Sequence, residues 1–307
     1  MSAPQLRIGT RGSRLALAQA DLVCRALAAV HPELAAPGAL EVVVIRTTGD
    51  RVTDRPLAEL GGKGLFCKEI EAALLERRID VAVHSIKDLP TWLPEGLVLG
   101  AVLEREDPRD VLIARPPATI AELPRRAVIG TASVRRKAQL LAHRPDLRVV
   151  NFRGNVDTRL RKLAAGEVDA TLLALAGLRR LGIEDAGIVL SPEEMLPAVG
   201  QGALGIECRA DDAGSLSLLA AIDHPASSAC VRAERALLAA LDGSCHTPIA
   251  GHAAIAAGLL HLRALIARPD GSECLRAERV GVADAGEALG QEVGLALRAR
   301  AGPGFFD

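Results

Sequence analysis

Three kinds of side chain in this sequence could do chemistry. Cys245, in 242-DGSCHT-247, sets a thiol where a helix-like run of Leu and Ala breaks and a strand-like run begins. Most free cysteines are small buried hydrophobes, yet a thiolate is a soft nucleophile able to capture a carbon electrophile. Asp88 ends 83-VHSIKD-88 beside Lys87. It could be a helix cap; among cations it would instead stay ionised and could stabilise a developing positive charge or pass a proton. The third kind recurs along the chain: Arg11-Gly12-Ser13-Arg14, Gly61-Gly62-Lys63-Gly64, Ser85-Ile86-Lys87-Asp88, Thr131-Ala132-Ser133 with Arg135 and Arg136, Arg153-Gly154-Asn155 with Arg159, and Arg179-Arg180. Each loop offers cations or hydroxyl donors suited to carboxylates or phosphates, several with a glycine that lets a ligand approach the backbone. One such loop would be ordinary solvated surface. Their repetition implies a ligand bearing several anionic groups.

Other chemistries are disfavoured. Around Lys63, Leu57 and Gly64 replace the first Gly and the final Ser/Thr of a phosphate-binding P-loop. There is no G-x-S-x-G or H-E-x-x-H, and the 7 His show no metal-ligand spacing, so no metal is expected. Cys245 and His246 are sequence neighbours, which point to opposite sides in extended chain and make a poor dyad. Cysteines 24, 67, 208, 230, 245 and 274 form no C-x-x-C pair, and a chain this rich in core residues does not call for a disulfide framework. With 37 Lys+Arg against 38 Asp+Glu, no global field attracts a polyanion or a membrane; 2% aromatics with no Tyr leaves no base-stacking platform. The N-terminus is interrupted by Arg7, Arg11 and Arg14 and lacks a signal-like apolar segment, and no apolar run has membrane-spanning length. The expectation is a cytoplasmic protein without nucleic-acid or membrane partners.

The elements that must position these residues follow from periodicity. A length of 307 residues exceeds what one core fills. Strand-like 6-LRIGT-10 leads into a helix over 15–29; strand 42–47, helix 65–78 and strand 79–84 follow. After the turn-rich 104-EREDPRD-110 a second series runs strand 127–131, helix 132–144, strand 147–152, helix 153–166, strand 168–174 and helix 175–182. The segment 197–207 could return to the first sheet. Alternating strands and helices imply mostly parallel sheets. Ligands of such sheets bind beyond the carboxyl ends of the strands, so the basic loops are expected to line an interdomain groove. From residue 226 the pattern becomes a helix over 230–241, two strand-like runs within 252–280 joined by Pro269-Asp270-Gly271, and a helix over 284–300. The expected domains are 1–103 with 204–225, 104–203, and 226–307.

The segments 10-TRGSRLAL-17, 61-GGKGLF-66, 83-VHSIKDLP-90, 104-EREDPRD-110, 130-GTASVRR-136, 153-RGNVDTRL-160, 199-VGQGALGIE-207 and 242-DGSCHTPIAG-251 together closely resemble the porphobilinogen deaminase family, also called hydroxymethylbilane synthases. The match runs in order over nearly the whole chain. What the resemblance implies is a transferase of tetrapyrrole (haem) biosynthesis. It would join four porphobilinogen units head to tail with loss of ammonia and release hydroxymethylbilane. The implied fold is α/β, two doubly wound periplasmic-binding-protein-like domains plus a small C-terminal α+β domain. The implied cofactor is dipyrromethane, joined by a thioether to Cys245 and serving as primer; capture of an electrophilic azafulvene by a thiolate would account for the linkage. Each pyrrole carries an acetate and a propionate, so the growing chain is the polyanion that the loops suggest.

Matching positions make Asp88, Lys87 and Arg11 catalytic. Ser13, Ser85, Lys87, Asp88, Thr131, Ser133, Arg135, Arg136 and Arg159 would hold the cofactor with Cys245. Arg11, Arg153, Arg159, Arg180, Gln201, Lys63 and Phe66 would face the substrate, the last two from a loop over the active site. A monomer is implied. One departure is Ser244, where a second glycine is expected before the cysteine; Ser tolerates fewer backbone conformations. A non-catalytic periplasmic-binding-type anion binder would explain the first two domains but not the thiol-bearing third. A nucleic-acid or phosphate binder would explain the Arg loops but not the charge balance or the missing aromatics.

Overall fold

The structure is a computed structural model that describes residues 5–51, 67–244 and 247–306. In chain order its elements are β1 (Leu6–Thr10), α1 (Arg14–Val30), β2 (Leu40–Val44), α2 (Thr48–Arg51), α3 (Lys68–Leu75), β3 (Val81–Ser85), β4 (Leu97–Val102), β5 (Asp110–Ala114), β6 (Val128–Gly130), α4 (Val134–His143), β7 (Arg148–Val150) and α5 (Val156–Ala164). There follow β8 (Ala170–Ala174), α6 (Leu175–Arg180), β9 (Ile188–Val189), β10 (Leu204–Arg209), α7 (Ala213–Ala220), α8 (Pro225–Ala240), β11 (Ile249–Ala256), β12 (Leu259–Ala267), β13 (Cys274–Val282) and α9 (Gly286–Ala301). The chain divides into two compact units, Met1–Arg105 with Ala203–Ser228, and Glu106–Gly202 with Ala229–Asp307.

In the first unit the sheet order is β2-β1-β3-β10-β4. β1 is parallel to β2 and β3, while β10 runs antiparallel to β3 and β4. The segment after Gly202 does return to this sheet. Residues 81–84 are buried without a break, as expected for a strand covered on both faces. One side packs Ile8, Val23, Leu27, Val83 and Leu219; the other packs Ile70, Leu74 and Ile79.

The second unit repeats the plan as β7-β6-β8-β5-β9, with β6 parallel to β7 and β8 and β5 antiparallel to β8 and β9. Each sheet is therefore α/β and doubly wound, reversing its order on either side of β1 or of β6. The crevice beyond the carboxyl ends at such a reversal is where ligands of open sheets bind. The same unit holds a three-stranded antiparallel sheet, β11-β12-β13, packed on α8 and α9 through Leu237, Leu260, Leu262, Val293 and Leu297.

Element ends shift by a few residues throughout, and three differences from the sequence reading have a clear physical cause. β2 lies at 40–44 rather than 42–47, because its register with β1 pairs Leu6 with Leu40 and Thr10 with Val44. α8 begins at Pro225 rather than 230; proline suits the first helical position, and His224 Nδ1 accepts the Ser227 N–H at 3.3 Å. The stretch 252–280 contributes three strands, not two, because the chain also reverses at Ala257-Gly258, whose φ angles are 50° and 78°. Paired positive φ values are those of a tight hairpin. An alanine there gives no sequence signal.

Beneath the 85–88 turn lies a buried polar cluster. His84 Nε2 is 3.0 Å from Glu207 Oε2, and both side chains are buried. Glu71 of α3 is buried beside them, and its pKa is pushed up to about 7, first by burial and then by the Glu207 charge, against an opposing pull from His84. A folded-state pKa above the unfolded one means stability is greatest below the unfolded carboxylate range and declines as pH rises through about 7. Glu71→Gln is therefore expected to gain in melting temperature relative to the parent between pH 5 and pH 8. An unchanged difference across that range would contradict the protonated Glu71.

Candidate functional site

In the first unit, the loops after β1 and β3 flank the order reversal. Ser13 caps α1, its Oγ accepting the Ala16 N–H at 3.2 Å, and Arg11 beside it is half-buried. Ser85 caps the single 3-10 turn Ile86–Asp88 without a side-chain hydrogen bond. Its hydroxyl is engaged by Gln19 of α1, whose Nε2 donates to Oγ at 2.9 Å. Asp88 ends that turn and so is not its N-cap, which removes the structural role weighed from sequence.

The turn is pinned by its backbone. Ile86 is buried and its N–H donates to Ala203 O at 3.1 Å, while the Cys67 thiol donates to Asp88 O at 3.6 Å. Burial, with smaller contributions from the Glu71, Asp88 and Glu207 charges, pushes the Cys67 thiol far up, opposed only by Arg11. Cys67 thus stays a protonated donor. The result is a fixed main chain carrying an exposed Asp88 carboxylate and a half-buried Lys87.

In the second unit, Thr131 and Ser133 follow β6. Thr131 Oγ1 accepts the Ser133 N–H at 3.1 Å, and Ser133 caps α4. Arg135 and Arg136, which the sequence reading leaves as loop donors, are buried at 4% and 6% exposure and share one carboxylate, Asp110. Arg135 Nη2 lies 2.8 Å from Asp110 Oδ2, with Nη1 donating to Leu196 O at 2.7 Å. Arg136 donates through Nη2 to Asp110 Oδ1 at 2.7 Å and through Nη1 to Leu172 O at 2.9 Å.

Gln201 joins them, its Nε2 donating to Asp110 Oδ1 at 2.8 Å and to Pro108 O at 2.6 Å. It is brought there by Gly202 at φ 88°, where an added Cβ would lie 2.2 Å from Glu106 O. Burial alone would raise the Asp110 pKa, but Arg135 and Arg136 hold it well below the usual carboxylate range. Two guanidinium charges meet one carboxylate charge, so the cluster carries a net positive charge. Arg135 Nε is a buried donor with no hydrogen-bond partner.

The remaining basic positions are more open. Arg159 Nε donates to Gly154 O at 2.8 Å beside the Asn155 cap of α5, and Arg153 is half-buried. Arg180 Nη2 donates to Gly202 O at 2.6 Å, and desolvation lowers its pKa to about 10. Arg179 pairs with Glu106 at 2.7 Å. The acidic run 104–110, read from sequence only as a turn, therefore supplies partners for arginines: Glu106 for Arg179, Asp107 for Arg109, Asp110 for Arg135 and Arg136. A run of acids amid basic loops was the available signal.

Cys245, His246, Lys63 and Phe66 lie outside the described residues. The approach to Cys245 is described. α8 ends in a Schellman motif, with Asp242 at φ 51° and bonds from Gly243 N–H to Leu238 O and from Asp242 N–H to Ala239 O. Ser244 N–H donates to Thr247 Oγ1 and Thr247 N–H to Ser244 O, each at 3.1 Å. Ser244 is thus held by a side chain across the loop. Buried Glu234 of α8 accepts the Gly200 N–H at 2.6 Å and the Ala253 N–H at 2.7 Å, tying the Gln201 loop to β11. No group of three or more His, Cys, Asp or Glu side chains able to hold a metal occurs among the described residues.

Comparison with known proteins matches residues 6–217 to the porphobilinogen deaminase dipyromethane cofactor binding domain and residues 228–299 to the porphobilinogen deaminase C-terminal domain. A porphobilinogen deaminase of Paracoccus denitrificans (strain Pd 1222) is 57% identical over 303 residues, covering 98% of this chain and 96% of that protein. A chloroplastic porphobilinogen deaminase of Oryza sativa subsp. japonica is 54% identical over 306 residues, covering 98% of this chain and 86% of that protein. Among solved structures, a Salmonella typhimurium periplasmic binding protein aligns with a TM-score of 0.41 at 15% identity, over 72% of this chain and 92% of that one. On two family models spanning most of its length and relatives above half identity, the chain belongs to the porphobilinogen deaminase family.

Proposed function

We propose that this chain is a hydroxymethylbilane synthase: it joins four porphobilinogen molecules head to tail, releasing an ammonia with each, on a dipyrromethane primer carried by Cys245, and frees hydroxymethylbilane by hydrolysis. Family membership along nearly the whole chain carries this assignment. The residues present also fit the cofactor. A buried arginine pair with one charge unbalanced and one donor unused is suited to a carboxylate, and dipyrromethane bears acetate and propionate side chains. When bound, dipyrromethane supplies the pyrrole carbon on which the product chain is started.

The remaining chemistry falls to the protein's own side chains. Asp88, exposed on a pinned turn, is assigned to accept a hydrogen bond from the substrate pyrrole N–H. It stabilises the cation formed as the C–N bond breaks and the electron pair leaves with ammonia. Lys87 and Arg11 add positive charge for the substrate carboxylates. Ser13, Ser85, Thr131, Ser133, Arg135, Arg136 and Arg159 are assigned to the primer; Arg153, Arg159, Arg180, Gln201, Lys63 and Phe66 to the incoming substrate. Each charge-assisted hydrogen bond of this kind contributes about 1.5–3 kcal/mol. The three-domain division at 1–103 with 204–225, 104–203 and 226–307 is supported by the three separate sheets. A cytoplasmic monomer is proposed from the family alone. No described helix is long and apolar enough to cross a membrane.

Asp88→Ala should retain the parent's melting temperature, since the side chain is exposed, and consume porphobilinogen ~10²–10⁴-fold more slowly. Near-parental turnover would remove Asp88 from the catalytic role.

A further inference from the structure

We infer that Asp110 is a positioning residue, which holds Arg135 and Arg136 as a paired carboxylate clamp and sets its charge. This rests on the proposed role of the two arginines as anchors of the primer. β5 runs antiparallel to β8, so its first residue, Asp110, pairs with Ala174 at the carboxyl end of β8. An acid at that place reaches the ligand-binding end of the sheet although its own strand runs the other way.

Asp110 is fully buried; its Oδ1 accepts hydrogen bonds from Arg136 and Gln201, and its Oδ2 lies 2.8 Å from Arg135 Nη2 in an ion pair without a hydrogen bond. Fixing a guanidinium plane from one side presents its remaining N–H donors in a set direction. Without the carboxylate, two like charges would stand side by side out of water, and their orientation would be left to the carbonyls of Leu196 and Leu172. With it, one of the two positive charges is balanced, and the site is preorganised for one further anion.

Primer acquisition tests this apart from turnover. Protein prepared without primer, as parent, Asp110→Asn, Asp110→Glu and Arg135→Gln, is melted to establish folding, incubated with porphobilinogen, and followed by intact mass. Asp110→Asn keeps the shape and removes the charge. It is expected to gain the dipyrromethane mass roughly 10–100-fold more slowly, the loss of about one charge-assisted hydrogen bond. Asp110→Glu, with its charge moved by one methylene, should fall between, and it carries the test alone if Asp110→Asn does not fold. A lowered melting temperature with parental acquisition in the folded variants would show a merely structural Asp110 and overturn the inference. If that occurs while Arg135→Gln is slow, the anchoring role of the arginines stands. If Arg135→Gln is also parental, that role falls too.

Discussion

One buried carboxylate facing two buried guanidinium groups organises the second unit. A carboxylate as deep as Asp110 remains ionised only because cations meet it, and two arginines at 4% and 6% exposure are tolerable only because it is there. The rest follows from bringing these groups together. β5 enters the sheet antiparallel to place Asp110, Ser133 starts α4 so that Arg135 and Arg136 turn inward, and the two positive-φ glycines 200 and 202 deliver Gln201 to the same oxygen.

The first unit solves a different problem on a sheet with the same pattern of parallel and antiparallel pairs. Its sheet also reverses beside its first strand, but the loop there carries an exposed acid rather than a buried one. What must be fixed is the main chain beneath Asp88. Ile86, the Ala203 carbonyl and the Cys67 thiol hold it from below, while His84, Glu207 and Glu71 fill the space behind, where burial and the Glu207 charge push Glu71 toward its neutral form. A turn held by its backbone keeps the exposed Asp88 in one place.

Much of this was legible in the sequence. Continuous apolar runs marked the buried strands, the basic loops fell at their carboxyl ends, and the Asp242-Gly243 break preceding Cys245 is the end of α8. What was not legible depends on contacts between distant residues. Asp110 and Arg136 are 26 positions apart, and nothing in either stretch says that one oxygen serves both arginine and Gln201. Arg135 and Arg136 read as groove-lining donors for an anion, and their burial against Asp110 escaped because charged residues on a helix ordinarily mark its solvent face. The hairpin at Ala257 escaped because alanine rarely takes positive φ. Cys245 remains a statement of the sequence, framed by described neighbours.

A primer bound covalently to Cys245 shows in the intact mass of the denatured protein beside its Cys245→Ala variant. The parent should be heavier than its sequence by one dipyrromethane and the variant should sit at its sequence mass. A parent that shows only its sequence mass, before and after incubation with porphobilinogen, would contradict the covalent primer and leave Cys245 an ordinary thiol.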